Sequence, residues 1–152
     1  MHDGEQDLGG LRLRGVAATA DVGLLTLQEA YGYVRVGAHL KAPRRAVWVV
    51  YSESHYSLLV AAPGASAAAA LRAGAGAGGE AAAPPREGVD VSYWDGLGDQ
   101  REPIRLTVRE NVDGVALPDP NDDAALIPPL DFVLRTKWAG CLVDWNGSEP
   151  IL

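Results

Sequence analysis

The apolar run Ala46-Val47-Trp48-Val49-Val50-Tyr51, followed by Ser52-Glu53-Ser54 and an alternating segment from His55 to Val60, constrains this chain more than any other stretch. An unbroken β-branched and aromatic run bounded by turn residues reads as a buried strand. The next segment alternates His55, Ser57 and Leu59 with Tyr56, Leu58 and Val60, which are the two faces of a second strand. His55 is therefore expected at the start of a strand paired with Ala46–Tyr51, its side chain at a surface.

The remaining pattern places fewer elements with less force. Asp21 is a good N-cap, and Leu24, Leu25, Leu27, Gln28, Ala30 and Tyr31 follow at helical spacing, which predicts a helix over Val22–Tyr33. Pro43 breaks the chain before the first strand. From Ala61 to Gly88 the composition falls to alanine, glycine and proline, with almost nothing large to bury, and a disordered insertion at about 63–88 is expected. Within it, Ala65–Ala73 could form a short helix that the glycines at 74, 76, 78 and 79 end. Val89–Trp94 alternates again, Asp95-Gly96 turns, and Ile104–Arg109 reads as the return strand. After a polar loop from Asn111 to Ile127, Pro128 and Pro129 open a helix carrying Leu130, Val133 and Leu134 and ending near Trp138. Gly140 closes it, and Cys141–Trp145 reads as the last strand. The expected class is α+β, a mainly antiparallel sheet with flanking helices in one domain over 11–152, behind a disordered tail at 1–10.

Composition removes several functions. A net charge of −7 and a pI near 4.8 argue against nucleic-acid binding, which needs basic patches. One cysteine excludes a disulfide framework and a cysteine-cluster zinc site, and favours a reducing intracellular compartment, cytoplasm or nucleus. The segment Met1–Gly10 is unlike a signal peptide, and no apolar run approaches membrane-spanning length. No cofactor, metal or membrane partner is expected. Asp119, Asp122 and Asp123 lack the spacing and closing glutamate of a calcium loop. Gly74–Gly79 lacks the context of a phosphate loop. Of three histidines, His2 and His39 carry no expected role. His55, beside a polar turn at a strand start, can titrate near neutrality and take a proton from a thiol; a histidine satisfied by backbone carbonyls fits the same position.

Trp48-Val49-Val50-Tyr51-Ser52-Glu53-Ser54-His55-Tyr56-Ser57 resembles the histidine block of the MINDY deubiquitinases. Collinear stretches support the resemblance: Asp21-Val22-Gly23-Leu24-Leu25-Thr26-Leu27 and Leu40-Lys41-Ala42-Pro43 upstream, Tyr93-Trp94-Asp95-Gly96-Leu97, Ile104-Arg105-Leu106-Thr107, Arg135-Thr136-Lys137-Trp138 and Asp144-Trp145-Asn146-Gly147-Ser148 downstream. The alanine–glycine tract has no counterpart in that pattern.

The resemblance implies the C-terminal part of a papain-like cysteine-protease domain. It also implies a ubiquitin carboxyl-terminal hydrolase that cuts chains of the proteasome-targeting linkage. His55 would be the general base, and ubiquitin or polyubiquitin the partner. The family's nucleophilic cysteine has no counterpart ahead of His55. Cys141 follows the histidine, alternates with Val143 and Trp145, and reads as a packing residue. These 152 residues by themselves are expected to be inactive. The alternative is a catalytically inactive ubiquitin-binding or scaffold member of the family. Arg35 and Tyr51 depart from the family pattern, which has glutamine and cysteine at those places. An exposed apolar face near His55 is expected, because too few helices are available to cover both sides of the sheet.

Overall fold

The structure, a computed structural model, describes residues 5–73, 75–96, 99–122 and 126–149. Expectations resting on Met1–Gly4, Gly74, Leu97, Asp123 and Pro150–Leu152 lie outside the described residues. In chain order the elements are β1 (Glu5–Leu8), β2 (Leu11–Arg14), β3 (Gly23–Thr26), α1 (Leu27–Ala30), α2 (Ala38–Lys41), β4 (Val47–Ser52) and β5 (His55–Ala61). There follow α3 (Ala65–Ala73), a 3₁₀ turn at Ala77–Gly79, β6 (Val89–Trp94), β7 (Ile104–Arg109), α4 (Pro129–Lys137) and β8 (Leu142–Asp144). Strands β3 to β8 form one sheet in sequence order, β3 parallel to β4 and every other pair antiparallel. The α+β class and the mainly antiparallel sheet match the sequence reading. No helix among the described residues is long and apolar enough to cross a membrane.

The helices leave one sheet face covered. On it Leu25, Trp48, Val50, Leu59, Val91, Leu106 and Val108 are buried together with Leu130, Val133, Leu134 and Trp138 from α4 and its C-cap. Trp48 and Trp138 meet edge to face, ring centroids 6.0 Å apart. The Trp48 indole N–H donates to the Lys41 carbonyl at 2.9 Å, so the largest core side chain is also tied to backbone.

The expectation of a long first helix is corrected. The helix over Val22–Tyr33 shrinks to Leu27–Ala30, because Gly23–Thr26 pairs with Trp48–Tyr51 as a strand. Helical spacing of Leu24, Leu25 and Leu27 is real, but pairing with β4 and the burial of Leu25 and Thr26 override propensity. Thr26, not Asp21, is the cap: its Oγ1 accepts from the Glu29 N–H at 3.1 Å.

The tract at 63–88 is not without structure. Ala65–Ala73 is helical, with Ala69 and Ala70 buried against the sheet. Alanine loses no rotamer entropy on burial and lets a helix approach closely, so large side chains are not required there. Gly79 is buried, its backbone in the left-handed region at φ 86°, and a Cβ would stand 2.2 Å from the Val36 carbonyl. Its own carbonyl accepts from the buried Lys41 ammonium, which also bonds Glu29.

Over the described part of the segment at 1–10, Glu5–Leu8 pairs with Leu11–Arg14. Gly9 and Gly10, at φ 58° and 92°, supply the two left-handed positions that a tight hairpin needs.

Candidate functional site

Ser52 pairs with His55, so Glu53 and Ser54 alone close the β4–β5 hairpin. Both have positive φ, 51° and 63°. Neither is the asparagine or glycine such a turn prefers, so local strain sits directly before the histidine. Alternation then places His55 on the same face as Ser57 and Leu59, the covered face, but at the end of the sheet. There its side chain keeps 31% exposure.

A second strand supplies its partner. Leu58 stands opposite Trp94 and Leu59 opposite Tyr93, which brings Asp95, just past β6, alongside the start of β5. His55 Nε2 lies 2.5 Å from the Asp95 carbonyl oxygen and 3.1 Å from its carboxylate Oδ1. Asp95 is buried, as are Tyr93 and Ser57. The Tyr93 phenol lies beside the Ser57 and Asp95 side chains. Burial, first, and the Asp95 charge push the Tyr93 phenol above its usual range, while Ser57 opposes them. The phenol is therefore a neutral hydrogen-bonding group at physiological pH. Gln100 ties the backbone: its Oε1 accepts from the Asp95 N–H at 2.7 Å, and its Nε2 donates to the Tyr93 and Glu102 carbonyls at 3.0 and 2.9 Å.

A part-exposed imidazole held through one nitrogen by the backbone carbonyl and the carboxylate of Asp95 can exchange a proton with a donor brought to its other nitrogen. Cys141 is not placed to be that donor in reactive form. It is fully buried in the core, and burial, foremost, pushes its thiol up to about 12. A thiol so raised stays protonated and poorly nucleophilic.

The other sequence candidates fall elsewhere. His39, on α2, has its Nδ1 3.5 Å from Thr19 Oγ1. Asp119 turns its own loop, its Oδ1 accepting from the Asn121 N–H at 2.8 Å. Among the described residues no three His, Cys, Asp or Glu side chains group as a metal site. Arg35 is exposed, 4.0 Å from Glu80, and Tyr51 packs on Tyr56 with ring centroids 4.7 Å apart. A cavity of about 790 Å³ opens between α1, the Tyr33–Arg35 segment and α4, and His55 is not in its lining.

The uncovered sheet face runs past the histidine. Tyr56, Leu58 and Trp94 are 66%, 43% and 36% exposed, and Val49 and Tyr51 are half-buried beside them. This is the exposed apolar face the sequence predicts near His55. Sequence reading missed Asp95, Tyr93, Ser57 and Gln100. Asp95 read only as a turn residue, although the alternation from Val89 through Tyr93 extends to it and was a usable signal.

The family model "Deubiquitinating enzyme MINDY-3/4, conserved domain" matches residues 1–147. The chain is 43% identical over 141 residues to the human protein named "Probable ubiquitin carboxyl-terminal hydrolase MINDY-4", covering 92% of this chain and 16% of that protein. The Xenopus tropicalis protein of the same name is 40% identical over 140 residues, with the same coverage. A Drosophila melanogaster protein, "Ubiquitin carboxyl-terminal hydrolase MINDY-3 homolog", is 47% identical over 57 residues, 38% of this chain and 10% of that protein. No solved structure matches. The chain thus spans about a sixth of the length of its MINDY-4 relatives. With the family model covering nearly its whole length, the chain belongs to the MINDY-3/4 deubiquitinase family.

Proposed function

We propose that residues 11–152 are the C-terminal, histidine-bearing part of a papain-like ubiquitin hydrolase domain, in which His55 is the general base. The observation that carries this is His55 itself. It is part-exposed at a sheet end, held through Nε2 by buried Asp95, and lies within a MINDY-3/4 domain match. The chemistry is thiol-dependent. His55 takes the proton of a cysteine brought from outside these residues, and the thiolate attacks the isopeptide carbonyl. The substrate is ubiquitin joined in chains of the proteasome-targeting linkage, and the compartment is cytoplasm or nucleus, where a thiol stays reduced.

A chimera tests it. The stretch of human MINDY-4 that matches this chain is replaced by it, and cleavage of ubiquitin chains of each linkage is measured. His55→Ala should lower the rate at least about 100-fold, the range of general-base catalysis. An active chimera indifferent to His55→Ala would sink the assignment. The 152-residue chain tested alone should neither cleave chains nor react at Cys141 with a ubiquitin C-terminal electrophile.

The second reading is a non-catalytic ubiquitin-binding member. The exposed face of Tyr56, Leu58 and Trp94 favours it, since aromatic and aliphatic side chains grouped on a surface suit protein docking. An inactive chimera that still retains ubiquitin chains, and loses them on Leu58→Asp, would select this reading.

A further inference from the structure

His55 Nε2 faces two atoms that only accept hydrogen bonds, the Asp95 carbonyl oxygen and its Oδ1. Nε2 must therefore carry the proton in the neutral ring as well as the charged one, which leaves the lone pair on Nδ1. Asp95 is in turn fixed from several sides. Gln100 accepts from its N–H and donates to the carbonyls of Tyr93 and Glu102, clamping both ends of the β6–β7 connection. The buried Tyr93 phenol lies beside the Asp95 side chain and Ser57 of the neighbouring strand.

We propose that Asp95 is the positioning residue of His55, and that Gln100 and Tyr93 hold it in place. The unit fixes one tautomer and leaves Nδ1 as the nitrogen that receives a proton. In the step it serves, the S–H bond of an incoming thiol breaks and an Nδ1–H bond forms, giving thiolate and imidazolium. The Nε2–H bond to Asp95 becomes charge-assisted in that state and stronger. The clamp explains why a glutamine with three hydrogen bonds sits in a connection that otherwise only reverses the chain. This inference deepens the general-base reading of His55 and rests on it for its catalytic meaning, while its geometry is testable without turnover.

The test is ¹⁵N-edited NMR of the His55 ring in the whole chain, at a pH where the ring is neutral. A ring proton attached to Nε2 and protected from exchange with water is expected. Asp95→Ala, which removes the carboxylate but keeps the backbone carbonyl acceptor, should speed its exchange severalfold, and Gln100→Ala, which frees that backbone, about tenfold. Asp95→Asn, which keeps an acceptor oxygen, should restore most of the protection. Backbone amide signals of β4 and β5 report whether each variant is folded. If Asp95→Ala unfolds, Tyr93→Phe takes its place, with exchange expected to rise severalfold. A proton found on Nδ1, or exchange altered by less than about twofold in the folded variants, overturns the proposal.

In the active chimera, Asp95→Ala should lower kcat about 10- to 100-fold with KM unchanged, a split that a general loss of structure would not give. Unchanged kcat overturns the catalytic part. An active chimera insensitive to His55→Ala, with the NMR result intact, would instead remove the general base while leaving the clamp standing.

Discussion

Replacing Gly23 by alanine puts a methyl carbon where none fits. A Cβ there would lie 2.4 Å from the Leu40 carbonyl oxygen and 2.4 Å from Trp48 Cδ1. Backbone cannot give easily on the first side. On the second, the indole is fully buried, hydrogen-bonded through Nε1 to the Lys41 carbonyl at 2.9 Å, and packed against Trp138. Forcing it aside costs about 1–3 kcal/mol of overpacking. It also leaves a buried indole N–H without its acceptor, about 1–3 kcal/mol more. Alanine's stiffer unfolded chain returns about 0.4–1 kcal/mol. The net loss is about 2–5 kcal/mol, or roughly 5–15 °C in Tm for a chain of this size. Urea unfolding followed by tryptophan fluorescence measures it directly. Trp48→Phe, which removes the atoms nearest the new methyl, should cost less in the Gly23→Ala background than in the wild type. A Gly23→Ala chain within about 0.5 kcal/mol of wild type would refute the claim that this glycine exists to admit Trp48.

Two further outcomes follow from the structure. Ser54→Gly should raise stability by about 1 kcal/mol, since a left-handed position at φ 63° favours glycine; an unchanged or lower Tm would contradict the strained turn. Lys137 is fully buried, its ammonium 5.1 Å from the ring centres of both Trp48 and Trp138. Burial, then Lys41, pushes its pKa down to about 8 from 10.5. Between those values the unfolded chain binds the extra proton, so stability should rise with pH from about 8. From about 9 upward Cys141, pushed up to about 12 from 9.0, holds its proton only when folded and opposes the rise. Urea titrations at pH 7.5 and 9 should therefore differ by about 1 kcal/mol in favour of pH 9, and Lys137→Met should remove that gain and leave the smaller, opposite slope of Cys141.

The strands around the histidine were legible because their information is local. A β-branched run, a polar turn and a period of two fix Val47–Ser52 and His55–Ala61 with little reference to the rest of the chain. The same holds for α4, whose proline start and apolar stripe are self-contained. The family resemblance was likewise written in contiguous blocks.

What the tertiary structure alone decided is where local preference and long-range pairing disagree. Leu24, Leu25 and Leu27 carry a helical period, yet β4 offers Gly23–Thr26 a parallel partner and the strand wins. Ala69 and Ala70 have little apolar area to bury, so composition suggests disorder, but the sheet supplies a flat surface on which their small size is an advantage. The site shows the same division. His55 is visible in sequence, while Asp95, 40 positions away, becomes its partner only through the β5–β6 register, and Gln100 only through the turn that register creates. Single-sequence pattern reports which face a side chain takes within its own strand. Which strand lies next to it depends on contacts whose free energy is gained only once the sheet is assembled.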